Sequence, residues 1–253
     1  MTPDQDVQEH RFVSPGGDIS TLDHAHPNDI LRWAVESNDR IAIATSFQSS
    51  GLVLLHLLRD IAPDIPVLFL DTGFHFKETI AFRKEIESIW DLKVIDLRGE
   101  HGTPEGQTKV YGPSLYRRDP GQCCFINKVK PLHDALEEYD AWISGIRRDQ
   151  SPLRAATPIV EAQLLASGNE TMKIHPLAGW NKSQVESYVA EHDIPTHPLL
   201  EKGFGSIGCE PCTRPVADDE DERAGRWDGF NKTECGIHLF GKPNAANRTE
   251  AEQ

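Results

Sequence analysis

The chain has 253 residues, enough for one sizeable α/β core and too few for two independent domains. Its formal charge of -14 excludes a protein that neutralises a nucleic-acid backbone or an anionic membrane over a broad surface, but leaves room for a local basic pocket. No apolar run reaches the roughly 18 to 20 residues of a membrane span, and the start "MTPDQDVQEHRF" lacks the basic and apolar regions of a signal peptide; the expected compartment is cytoplasmic.

Residues 1–25 are polar and contain Pro15-Gly16-Gly17, the composition of a loose arm. "HPNDILRWAVES" predicts a first helix with Asn28 or Asp29 as cap and Ile30, Leu31, Ala34 and Val35 at helical spacing. "RIAIATS" predicts a strand, and "FQSSGLVLLHLLRD" a turn and a buried helix. "IPVLFLDTG", "KETIAFRKEIESIW" and "LKVIDLRG" repeat the pattern as strand, helix and strand. After a Gly- and Pro-rich loop over 99–120, "KVKPLHDALEEY" is helical and "AWISGI" is a fourth strand. "MKIHPLAG" adds a strand, and "NKSQVESYVAEHDIP" a helix with Asn181 as cap and Gln184 in the capping-box position. Residues after Phe240 read as disordered.

Apolar strands alternating with helices predict an α/β fold, an open parallel sheet with helices on both faces, plus a cysteine-bearing C-terminal extension. The expected organisation is an arm over 1–25, a nucleotide-binding domain over 26–205 and a C-terminal segment over 206–253. Open parallel sheets bind ligands at the carboxyl ends of their strands, which points to 45–50, 71–76, 98–99 and 145–151.

Four of the five cysteines form two pairs, Cys123-Cys124 in "GQCCFINKVK" and Cys209/Cys212 in "GCEPCTRP". Reduced in the cytoplasm, they suit metal binding rather than disulfides. A structural zinc is one reading. Adjacent side chains converge poorly on one small ion, whereas a [4Fe-4S] cube gives each sulfur its own iron, so the tandem pair favours a cluster over zinc, and both over a vicinal disulfide. Cys235 is left over, between Lys232, Glu234 and His238 in "KTECGIHL".

The segments "LDTGFHFKET", "CCFINKVKPL", "WISGIRRDQSPLRA", "GFGSIGCEPCTRPV", "DERAGRW" and "KTECGIHL" occur in this order from about Ile41 to His238. In this the chain resembles assimilatory sulfonucleotide reductases of the APS/PAPS reductase family, in their iron-sulfur type. The resemblance implies an adenine nucleotide alpha hydrolase-like fold and the two-electron reduction of adenosine 5′-phosphosulfate (APS) to sulfite and AMP in sulfate assimilation. It also implies a [4Fe-4S] cluster on Cys123, Cys124, Cys209 and Cys212, and thioredoxin or glutaredoxin as reductant.

Reaction at the electrophilic sulfur of APS needs a thiolate, for which Cys235 is the candidate. Lys232 and His238 are expected to lower its pKa and Glu234 to raise it. Arg147 and Arg148 follow the fourth strand and suit phosphate or sulfate oxygens, each with a solvated-surface alternative. By family correspondence Arg223 and Arg226 contact the phosphosulfate, and Lys128 lies between cluster and substrate. Ser46 and Ser49 lie in the turn "TSFQSSG", either a phosphate-binding turn or an ordinary one with Ser49 or Ser50 as helix cap. Asp71, Thr72 and Gly73 end a buried strand and by resemblance line the nucleotide site; His238 completes the expected substrate set. Where the family often has a basic residue before the lysine of the "CC" segment this chain has Asn127, expected to weaken an electrostatic link between cluster and substrate. The tail "DGFNKTECG" also carries less tryptophan than many relatives. The alternatives are a reductase of 3′-phosphoadenosine 5′-phosphosulfate (PAPS), or of both nucleotides, and a tRNA-thiolating ATP pyrophosphatase, whose Ser-Gly-Gly-x-Asp-Ser loop and basic surface are missing here. A zinc-stabilised binding module without catalysis is separated by colour, since zinc is silent. A homo-oligomer is left open.

Overall fold

The protein is described by a computed structural model covering residues 19–217, 219–230 and 232–238. Residues 1–18 of the expected arm and the expected disorder past Phe240 lie outside the described residues. The rest of the arm is not loose: Ile19–His24 makes a 3-10 turn whose Leu22 is fully buried in the main core. α1 (Pro27–Ser37) starts at Pro27, so the cap is His26, whose Nδ1 accepts the Asn28 N–H at 3.2 Å, rather than Asn28 or Asp29.

β1 (Ile41–Ala44), α2 (Ser49–Ile61), β2 (Pro66–Leu70), α3 (Lys77–Trp90) and β3 (Lys93–Leu97) follow as expected. Then come α4 (Pro104–Tyr111), α5 (Leu115–Arg118), α6 (Pro120–Cys124) and α7 (Lys130–Leu136), the last two joined through a π-helical stretch, Phe125–Val129. β4 (Ala141–Ser144), β5 (Val160–Leu164), β6 (Glu170–Ile174) and α8 (Lys182–Glu191) complete the elements used here.

The sheet order is β3-β2-β1-β4-β6-β5. Its pairings are parallel except that of β5 with β6. The open, mostly parallel sheet is as expected, and this hairpin adds one antiparallel edge strand. β5 was hidden in the sequence because Glu161 and Gln163 break its apolar run, yet Gln163 is buried and accepts the Trp142 indole N–H at 3.0 Å. Both faces are covered, as the apolar strands require. Ile41 and Ile43 of β1, Val67 and Phe69 of β2 and Ile143 of β4 pack in the core with α1, α2, α3 and α8. Their alternates Ala42, Leu68 and Trp142 pack against Leu132 and Leu136 of α7. Among the described residues no helix is long and apolar enough to cross a membrane.

The chain leaves β1 toward β2 and β3 on one side and returns to β4 on the other, which opens a crevice at the carboxyl ends of β1 and β4. The described residues of the C-terminal segment are bonded to the main domain. Gln48 exchanges two hydrogen bonds with the Ile207 backbone, at 2.9 and 2.8 Å, and the Glu210 N–H reaches the Phe74 carbonyl at 2.7 Å.

Candidate active site

A cavity of about 1040 Å³ fills the crevice, lined by the ends of β1, β2 and β4, the first turn of α2 and residues of the C-terminal segment. Close approach shapes its floor: a Cβ on Gly51 would stand 2.0 Å from the Thr45 Oγ1, and one on Gly145 would stand 3.3 Å from the Gly51 N. Ser46 and Ser49 line this cavity. Gln48, rather than Ser49 or Ser50, takes the N-cap position of α2, and it makes no side-chain cap bond because its amide is spent on Ile207 and on the Ser46 Oγ at 2.7 Å. The first N–H groups of α2 therefore open to the cavity.

Arg147 is buried; its Nη1 donates to the Ser50 Oγ at 2.7 Å and its Nε to the Asp149 Oδ1 at 2.9 Å. Its Nη2 stands 3.5 Å from the Glu222 Oε2 without a hydrogen bond. Arg226 lies on the Trp227 ring, 4.6 Å from its centroid, and donates from Nη1 to the Ser206 Oγ and the Ile207 carbonyl, each at 3.3 Å. A Cβ on Gly208 would lie 2.2 Å from the Arg226 Nη2, so this guanidinium requires glycine beneath it. Arg223 donates from Nη2 to the Thr233 carbonyl at 3.2 Å. Burial and the nearby Arg154 push its pKa down to about 10 against the pull of Glu234. Arg147 Nη2, Arg223 Nε and Arg226 Nε are buried donors without a hydrogen-bond partner, on residues that all line the cavity. Unmet cationic donors of this kind suit an anion.

A second, small and enclosed cavity of about 20 Å³ adjoins the first and is lined by Cys123, Cys124, Cys209 and Cys212 together with Thr72. Cys123 and Cys124 end α6, where the chain passes into the π-helical stretch that carries Lys128. Lys128 lines both cavities. Burial would depress its ammonium, but Cys209, Cys235 and Cys124 outweigh that and hold it above the usual range. Polar groups face the sulfurs: Asn127 Nδ2 lies 3.6 Å from the Cys123 Sγ, and the Thr72 Oγ1 lies 3.4 Å from the Cys209 Sγ. Burial pushes the Cys212 thiol up to about 11 and raises Cys123 as well. Among the described residues no three His, Cys, Asp or Glu side chains are drawn together around a single ion position.

Cys235 is buried, packs with Cys124, Cys212 and Trp227, and lines the large cavity. A hydrogen bond with Cys124, then Lys128, the Ile237 N–H and Arg226, hold its pKa well below the ordinary thiol value against burial. The cations responsible are thus Lys128 and Arg226, not the expected Lys232 and His238. Lys232 sits over the Trp227 ring at 5.5 Å. Burial, with Lys173 and Arg154 nearby, holds His238 well below its usual value, so it is neutral and supplies no charge. Glu234 does not raise the thiol as expected either, because its buried carboxylate is neutralised by Arg154 and Arg223.

Of the sequence-predicted residues, Ser46, Ser49, Lys128, Arg147, Arg223, Arg226, Cys235 and His238 share the large cavity. Arg148 turns away, donating to the Thr157 carbonyl at 2.8 Å and pairing with Asp23 at 3.3 Å. Asp71 is paired with Arg98 at 2.7 Å and accepts the Gly73 N–H at 3.1 Å, while Gly73, at φ 71, serves the turn against Pro104. Neither Asp71 nor Gly73 is among the lining of either cavity, and Thr72 belongs to the cysteine chamber. Asn127 faces the chamber too, donating to the Gln107 Oε1 at 2.6 Å. Sequence reading missed Arg154 and Gln107, and took Ser50 only as a candidate helix cap. Arg154 sits in "SPLRA" beside the arginines that were singled out, but nothing in its spacing reveals a partner eighty residues away.

A family profile described as phosphoadenosine phosphosulfate reductase domain matches residues 40–215. The chain belongs to the phosphoadenosine phosphosulfate reductase family. It is 45% identical over 218 residues to the adenosine 5′-phosphosulfate reductase of Streptomyces coelicolor, covering 86% of this chain and 90% of that one. With the adenosine 5′-phosphosulfate reductase of Staphylococcus haemolyticus it shares 41% identity over 216 residues, covering 85% and 88%. Among solved structures it is similar to the phosphoadenylyl-sulfate reductase of Candida auris in a phosphate complex, with TM-score 0.68, 28% identity and coverage of 78% and 94%. The phosphoadenosine phosphosulfate reductase match takes in both cysteine pairs, Lys128 and Arg147, whereas Arg223, Arg226, Cys235 and His238 lie past it and still meet the same cavity.

Proposed function

We propose that the protein reduces adenosine 5′-phosphosulfate to sulfite and AMP, with Cys235 as nucleophile. The observation that carries this reading is that Cys235 and the guanidinium groups of Arg147, Arg223 and Arg226 line one cavity. The names of the bacterial relatives support APS as the nucleotide.

The Cys235 thiolate attacks the sulfur of the phosphosulfate. The S–O bond to the phosphate breaks, AMP leaves with the electron pair, and Cys235 carries an S-sulfonate. Arg147, Arg223 and Arg226 meet the charge that grows on the phosphate oxygens, and Lys128 stands beside the thiolate. A reductant dithiol of the thioredoxin or glutaredoxin type then attacks the Cys235 sulfur, releasing sulfite. Its second thiol resolves the mixed disulfide, so the dithiol supplies both electrons. This thiol chemistry needs cysteines kept reduced, the condition of the cytoplasm.

The donor set fits an iron-sulfur cluster, because four thiols line one small cavity with amide and hydroxyl groups directed at their sulfurs. Cys123, Cys124, Cys209 and Cys212 would hold a [4Fe-4S] cluster, which when bound supplies a fixed local charge and a tie between the C-terminal segment and α6. The thiol chemistry accounts for the electrons without it.

The test is to mix anaerobically purified protein with APS or PAPS, without reductant, and measure intact and peptide masses. A sulfonate on the Cys235 peptide with APS is expected. Its absence with both nucleotides, on folded protein, overturns the reading, and a preference for PAPS moves the substrate to the 3′-phosphorylated nucleotide.

A further inference from the structure

Glu234 immediately precedes the proposed nucleophile, and its side chain is among the most deeply buried carboxylates of the molecule. Arg154 grips it through two parallel bonds, Nε to Oε1 at 2.9 Å and Nη2 to Oε2 at 2.7 Å. Arg223 adds a third contact, its Nη2 lying 3.2 Å from Oε1, and the same nitrogen donates to the neighbouring Thr233 carbonyl at 3.2 Å. Both arginines line the cavity that Cys235 faces. Arg154 is fixed in turn by Gln150, whose Oε1 also accepts the Arg147 N–H at 3.1 Å. The tail is therefore pinned next to its thiol by a buried, paired charge that is anchored in the loop after β4. Lys232, half-buried over the Trp227 ring, makes a second clip.

A carboxylate so placed is costly to bury unless it is paired, and once paired it is costly to leave with only one partner. Such a group holds a segment in one of two positions: docked with every charge met, or released with every charge in water. We propose that Glu234 is a positioning residue that latches the tail shut, keeping Cys235 over the cavity until the tail swings out to the reductant. Arg223 links this latch to the ligand, since its Nη2 holds the tail while its side chain lines the cavity. An anion that fixes this guanidinium fixes the latch with it, so occupancy of the cavity and closure of the tail favour one another.

The inference rests on the reading of Cys235 as nucleophile, but its main test needs no nucleotide. The measurement is the rate at which iodoacetamide labels Cys235 in the full-length, anaerobic protein, followed by peptide mass, for wild type, Glu234→Gln and Glu234→Asp. Glu234→Gln should label about tenfold faster or more, and Glu234→Asp at a rate between, with iron content and melting temperature close to wild type. In a single turnover with APS, sulfonation of Cys235 should slow in Glu234→Gln, while dithiothreitol releases sulfite from the preformed adduct at least as fast as in wild type. A merely structural defect slows both. Should Glu234→Gln fail to fold, Arg154→Gln breaks the same latch from the other side and is judged by the same labelling. Labelling within about twofold of wild type overturns the latch. Wild type that forms no adduct with APS or PAPS defeats the proposed reaction and leaves the labelling comparison to decide the latch.

Discussion

Arg147 donates to the Ser50 Oγ at 2.7 Å, which ties the loop after β4 to the first turn of α2 across the switch point of the sheet. The bond fixes the guanidinium plane at the wall of the cavity and leaves Nη2, 3.5 Å from the Glu222 Oε2, without a hydrogen bond. Arg147→Ala is therefore expected to raise the KM for APS about thirtyfold, the roughly 2 kcal/mol of a hydrogen bond to a charged group. Ser50→Ala, which only loosens the arginine, should raise it a few-fold. Initial rates with a thioredoxin-coupled assay decide it, and an unchanged KM in Arg147→Ala would remove this arginine from the anion site.

The two classes of cysteine should separate by colour and product. Cys235→Ser is expected to stay brown and to bind AMP, yet to make no sulfite, because its sulfur is not among those lining the small chamber. Cys209→Ser should purify without the colour. An absorption spectrum with iron analysis tests both, and a fully loaded Cys209→Ser would refute the ligand assignment.

Stripping the iron with a chelator under reducing conditions should lower the melting temperature and shift tryptophan emission to the red. Trp227 is the reporter: it is 2% exposed and packs with Cys124 and Cys235 where the C-terminal segment meets α6. In Trp227→Phe the emission shift should vanish while the fall in melting temperature remains.

Acid should unfold the protein through its buried histidines. The His197 Nδ1 accepts the Leu199 N–H at 3.2 Å, so the ring must stay neutral, and burial pushes its pKa to about 4 from 6.5. The folded state then binds fewer protons than the unfolded one, so this contribution is complete above pH 6.5 and is lost as pH falls toward 4. His175, lowered by burial, acts in the same direction. Urea midpoints measured from pH 7.5 down to about 4 should show the decline, with a shallower slope in His197→Gln.

The sheet was legible because the strands that build its middle are apolar on both faces, as the burial of Ala42 and Trp142 opposite Ile41 and Ile143 shows. β5 was not, since its buried Gln163 looks polar until Trp142 and His133 are seen beside it. Charge partners across long stretches of chain were equally hidden. Asp71 and Arg148 end strands where ligands bind, yet each is occupied by a salt bridge, with Arg98 and Asp23 respectively, that spacing alone does not disclose. The cysteine pairs were readable because their chemistry is local. The Glu234 pairing was not, because Arg154 is brought to it only by the loop after β4.

The π-helical stretch between Cys124 and Lys130 joins α6 to α7 as one continuous rod. A rod of fixed pitch works like a key cut at two places: the notch at Cys123 and Cys124 and the notch at Lys128 keep a set angle to one another. Substitutions along Phe125–Val129 can change what each notch touches. Removing one residue there would take out the extra residue of the π turn, bring Lys128 to ordinary α-helical spacing from the cysteines and change the angle between the two notches. The spacing of this segment is thus as much a part of the site as the side chains it carries.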